Sequence, residues 1–260
     1  MSEDTKVFSS LPGVILSDLA DSTLIIPSIS IGNIPQLAND LLIHTLNFNK
    51  IGSLTDTYLY PFASPIDTLN DVGQKKGIST AVEVYHNKDL KLTIIQQRSP
   101  IIPNFTKTYV NEVILPFIKE AKVKRFLILD SSDAGLVENL SPGTIDFYSN
   151  EDLLNKSLET LNIGQVDAIQ FGKGNDNHSS YIRSLITYLH TGDLSSDFEV
   201  NVLVSYVYEG DNFYDGEHLA NKTIEALDVS PVKNWIRPRS WLGVYGDRQV
   251  PNALEEGLFG

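Results

Sequence analysis

The 260-residue chain contains no cysteine, which excludes disulfides, a thiolate metal site and a cysteine nucleophile. No apolar run approaches the roughly 18 to 20 residues that a membrane-spanning helix needs. The chain starts Met1-Ser2-Glu3-Asp4, acidic and polar where a secretory signal is basic and then apolar. We therefore expect a cytoplasmic and nuclear protein with no membrane partner. In that setting the sequons at Asn104, Asn155 and Asn221 read as chance matches. Cations are also scarce: 20 Lys and Arg stand against 33 Asp and Glu, a formal net charge of -13. Phosphate binding needs clustered cations, so nucleic acid is not an expected partner. The acidic surface aids solubility and suits a basic partner.

Familiar catalytic signatures are missing too. The chain has no G-x-S-x-G elbow, P-loop, G-x-G-x-x-G fingerprint or H-E-x-x-H pair. Gly172-Lys173-Gly174 lacks the third glycine of a phosphate loop and reads as a turn. Asp211 to Gly216 resembles half of a calcium loop, but Phe213 and Lys222 stand where ligands belong. One strand-end cluster remains, Asp130-Ser131-Ser132-Asp133, placed where open α/β sheets bind ligands. A serine there needs a histidine base, and His44, His86, His178, His190 and His218 are scattered. The alternative is that small polar residues end a strand because they favour turns. No cofactor and no metal is expected.

What is present is a rhythm of strands and helices. Thr23 to Ile31 reads as a strand, with Pro27 pointing to an edge or a bulge. Asn33 is a good N-cap, and Ile34, Leu37, Ala38, Leu41 and Leu42 then recur on one helical face. Val82–Tyr85 and Leu90–Gln97, joined by Asn87-Lys88-Asp89, predict a hairpin. A helical pattern begins at Asn104, and Pro116 should kink or shorten it. Arg125 to Asp130 is a continuous apolar run, as in a central parallel strand. Ser180 to Leu189 and Gly216 to Leu227 are helical, and Glu199 to Tyr208 is a strand. We expect one α/β domain over 22–250, with a mostly parallel central sheet flanked by helices and an antiparallel hairpin. Residues 1–21 are expected to be loosely held.

Pro251 to Gly260 should leave the globule as a polar spacer that stops on Leu258-Phe259-Gly260. An exposed Leu-Phe pair needs a cover. It either docks on a partner through its side chains and carboxylate, or folds back onto its own domain. Spacing alone leaves both open.

Several segments resemble the proteasome assembly chaperone 2 family. The S-[IV]-G-N-[IV]-x-Q-L core stands at Ser30-Ile31-Gly32-Asn33-Ile34-Pro35-Gln36-Leu37, within Ser22 to Leu42. Family-type strands appear at Ala81 to Tyr85 and at Gln96 to Arg98, followed by Glu209-Gly210-Asp211-Asn212 and Ser240-Trp241-Leu242-Gly243. The resemblance implies a phosphorylase/hydrolase-like fold used without its chemistry. It also implies a heterodimer with assembly chaperone 1, acting on proteasome α subunits of the 20S core particle. Such proteins engage the α-ring through a terminal hydrophobic–tyrosine–any tripeptide, here Leu258, Phe259 and Gly260. Phenylalanine in place of tyrosine forfeits one hydrogen bond, about 1 kcal/mol.

Overall fold

The computed structural model describes residues 6–67, 77–141, 143–153, 180–191 and 198–242. Among them ten strands form two sheets. In chain order the strands are β1 (Phe8–Ser10), β2 (Thr23–Pro27), β3 (Asn49–Leu54), β4 (Ala63–Pro65), β5 (Ile78–Thr80), β6 (Val82–Asn87), β7 (Leu92–Gln97), β8 (Arg125–Asp133), β9 (Ile145–Tyr148) and β10 (Glu199–Val207). The main sheet has the order β1-β3-β6-β7-β2-β8-β10-β9, while β4 and β5 pair separately. Its centre, β7-β2-β8-β10, is parallel. The flanks are antiparallel, with the predicted hairpin β6–β7 on one side and β9 on the other.

Side-chain alternation along the central strands divides the core into two. Leu24, Ile26, Phe126, Ile128, Val202 and Val204 face one cluster, and Ile25, Leu127, Leu129 and Leu203 face the other. Helices α2 (Thr106–Tyr109), α3 (Leu115–Ala121) and α4 (Ser180–Thr191) cover the first face. Helices α1 (Ile34–Thr45) and α5 (Phe213–Ala226) cover the second. The result is a three-layer α/β/α domain. Each fully buried aliphatic side chain in it contributes about 1.5–3 kcal/mol.

Three local expectations change. Pro27 lies in an interior strand, but at its last position, where pairing with β7 has already ended at Ile25; there a missing N–H is tolerated. Pro116 opens α3 immediately after a π turn, Val110–Ile114, so the helix continues past it. The wider turn relieves the clash that proline makes with the carbonyl four residues back. Asn33 occupies the cap position of α1 in a left-handed conformation, φ 50°, and its side chain makes no capping bond.

Phe8–Ser10 is held in the main sheet. β1 pairs with β3, and Phe8 is fully buried. The ring fits because it lies over Gly52: a Cβ there would sit 2.4 Å from Ser9 O and 2.5 Å from the Phe8 ring. Gly52→Ala should therefore lower unfolding free energy by about 1–3 kcal/mol, since backbone must move to admit the methyl. Gly210→Ala, where nothing lies within 4 Å, should stay within about 0.5 kcal/mol. Denaturant unfolding of the two variants measures the difference.

Candidate functional site

The carboxyl ends of β2 and β8 bring together Ser28, Ser30, Asp130 and Ser131. Ser28 Oγ donates to the fully buried Asp130 carboxylate and lies 2.8 Å from Ser30 Oγ. Ser30 Oγ is in turn 2.7 Å from Ser131 Oγ and accepts the Ser131 N–H at 3.1 Å. Ser131 Oγ donates to the Ile31 carbonyl at 2.7 Å. Asp133 accepts the Gly135 N–H at 2.8 Å. A nucleophilic serine must lose its proton to a base, and the acceptor here is a peptide carbonyl. The His86 ring is engaged with Thr93, and the His218 ring with the Gly143 carbonyl. His178 and the side chain of His190 lie outside the described residues. Among the described residues there is no metal-binding group of three or more His, Cys, Asp or Glu.

A second polar assembly is built from the residues that carried the family resemblance. Arg98 donates to Asp40 through Nη2 at 2.7 Å and Nη1 at 3.2 Å. Gln96 Nε2 donates to Asp40 at 2.8 Å and to the Gln36 carbonyl at 3.0 Å, and Gln36 Nε2 donates to the Ser28 carbonyl at 2.7 Å. These bonds pin the first two turns of α1 to β7 and to the end of β2. Burial works against the Arg98 charge, and the adjacent Asp40 carboxylate more than restores it, so the guanidinium is held above its ordinary range. On β6, fully buried Glu83 accepts from Lys50 at 2.5 Å, from Tyr85 at 2.7 Å and from the Thr80 N–H at 3.0 Å. Burial first, and the Glu83 charge second, push the Tyr85 phenol far above its ordinary value, so it serves as a donor. These residues are knitted to one another, and their donors and acceptors point into the fold.

Two further motif segments meet at the same end of the sheet. Gly32 takes φ 66°, and a Cβ on it would lie 2.8 Å from Asn212 Oδ1. Asn212 itself organises the turn into α5: it accepts the Gly210 N–H at 3.0 Å and donates to the Tyr208 carbonyl at 2.8 Å and to Asp215 at 2.9 Å. The segment that resembled half of a calcium loop is thus a helix start. Beside it a cleft of about 350 Å³ is bordered by Tyr206, Tyr208, Glu209, Asp211 and Asp215.

The Ser240-Trp241 element belongs to a strap that runs back along α5. Trp235 Nε1 donates to Asn221 at 3.2 Å, and the Ile236 N–H to Thr45 Oγ1 at 2.9 Å. Arg237 donates to Glu217 at 2.6 and 2.9 Å, with its guanidinium 5.5–5.9 Å from the ring centres of Phe213, Tyr214 and Trp241. Trp241 stacks on Phe213 at 4.6 Å, 9° from coplanar. Ser240 is bonded to Asp67 through both its N–H and its hydroxyl. The segment that carries the two tryptophans has no regular period in the sequence, so this anchoring is not legible there. The four-residue spacing of Phe213, Glu217 and Asn221 was the available signal. The predicted docking residues Leu258, Phe259 and Gly260 lie outside the described residues.

The PAC2 family model matches residues 24–182. Similarity to proteasome assembly chaperone 2 of Danio rerio is 29% identity over 243 residues, covering 88% of this chain and 93% of that one. The Homo sapiens protein of the same name is 28% identical over 255 residues, covering 91% and 96%. Among solved structures, Pyrococcus furiosus PbaA, an archaeal homolog of proteasome-assembly chaperone, has TM-score 0.60 at 13% identity, covering 87% of this chain and 84% of PbaA. That likeness concerns the fold. With more than half of its length inside the family model, this chain belongs to the PAC2 family.

Proposed function

We propose that this chain is a chaperone for assembly of the 20S proteasome core particle, working by binding in the cytoplasm and nucleus and not by catalysis. The observation that carries the reading is its similarity, over about nine tenths of its length, to proteins named proteasome assembly chaperone 2. The Ser131 proton directed at a peptide carbonyl supports a role without turnover. In this reading the chain pairs with assembly chaperone 1, and the heterodimer engages α subunits of the ring. Leu258 buries apolar surface, Phe259 inserts its ring, and the Gly260 carboxylate pairs with a pocket lysine. Three residues must overcome the ordering of the tail, so the contact is weak alone. Avidity from a second tail and a body contact supplies the rest.

Deleting Leu258 to Gly260 should reduce co-purification with core-particle α subunits by about tenfold, some 1.4 kcal/mol. Undiminished co-purification would remove the tail from the mechanism. Ser131→Ala should lower stability by about 1 kcal/mol through a lost hydrogen bond and leave α-subunit capture unchanged. A hydrolytic or phosphorolytic turnover that disappears in Ser131→Ala or Ser132→Ala would instead establish the strand-end cluster Asp130 to Asp133 as an active site.

A further inference from the structure

We infer that the strap from Trp235 to Trp241 is a positioning device, which fixes the point from which the docking tail departs. The inference rests on the docking reading above. Helix α5 begins at the carboxyl end of β10 and hands the chain on at Leu227, its far end. Its 14 residues span about 20 Å at 1.5 Å per residue. A chain released at Leu227 would leave from the wrong end of the layer by that distance. The strap reverses this travel, bringing the chain back to the end where both α1 and α5 start.

The return is fixed in register. Asn221, Glu217 and Phe213 stand four residues apart on one face of α5 and receive Trp235, Arg237 and Trp241 in antiparallel order. Each rung differs in chemistry: an indole N–H on an amide, a guanidinium on a carboxylate, a ring on a ring. A slip of one turn would leave Trp241 without the Phe213 ring and Arg237 without the Glu217 carboxylate. Two side bonds, from Ile236 to Thr45 and from Ser240 to Asp67, tie the strap to α1 and to the chain beyond β4. Apolar burial alone would hold the strap without setting where it ends. Discrete rungs do both.

The consequence is an effective concentration. At most residues 243–257 lie between the seated strap and Leu258; with the strap released, at most residues 228–257 do. Doubling that length lowers effective concentration by about threefold under a -3/2 power law. The test uses the heterodimer with assembly chaperone 1 and, as probe, a purified assembly intermediate carrying the α-ring. Arg237→Ala with Trp241→Ala should raise Kd by up to about threefold, while Trp241→Phe, which preserves the stack, should not. In a chain lacking Leu258 to Gly260 the double variant should have no further effect. A Gly/Ser insertion of about 15 residues after Val250, with the strap intact, should reproduce the threefold loss without a change in unfolding midpoint. If removing the tripeptide weakens binding but neither the double variant nor the insertion does, the strap inference is overturned and the docking reading survives. An equal loss from the double variant with and without the tripeptide also overturns it, making the strap a contact surface. If removing the tripeptide changes nothing, the docking reading fails and takes this inference with it.

Discussion

The contact on which the rest depends is the buried bridge from α1 to the sheet: Asp40 held by Arg98 and Gln96 at the end of β7. Without it, α1 would keep only the bonds of Gln36 and Asn39 beside its apolar contact with the sheet. With it, Gln36 is placed to bond the Ser28 carbonyl, which fixes the end of β2. That end positions Ser30 against Ser131 and Gly32 against Asn212. Asn212 then starts α5, and α5 carries the strap. One chain of contacts thus runs from the sheet through α1 to the strap.

Such a bridge is not primarily a source of stability. Desolvating Asp40 and Arg98 offsets much of their attraction, yet removing one partner strands the other, at about 3–5 kcal/mol. Glu83 with Lys50 and Tyr85 follows the same logic on β6. Charged pairs of this kind select one register, because an apolar core of equal volume would accept several. Register is what a protein that works by binding needs: its surfaces must stand at fixed places relative to each other.

Much of the architecture was legible in the residues. The apolar run of β8, the alternating hairpin and the helical face of α1 follow from side-chain periodicity, which burial on one or two faces imposes. Phe8 was not legible, because a three-residue strand has no period and its burial comes from Gly52, distant in sequence. Pro116 was read by its local rule, which a π turn suspends. The motif residues were visible as a resemblance, but their work was not: Gln36, Gln96 and Arg98 touch only through the fold. Asp130 to Asp133 reads as a candidate active site because strand-end serines and structural knots share a composition. Only the partner of the hydroxyl proton separates the two.

The account holds that the shared motif residues maintain the fold, and that recognition is carried by surfaces the fold positions. Arg98→Lys tests this directly, since lysine keeps the charge and loses the two-pronged contact with Asp40. Thermal midpoint and capture of α subunits per folded molecule would be measured on the same preparation, well below the midpoint. The account predicts a lowered midpoint with undiminished capture. An unchanged midpoint with lost capture would contradict it, because Arg98 would then be a recognition residue.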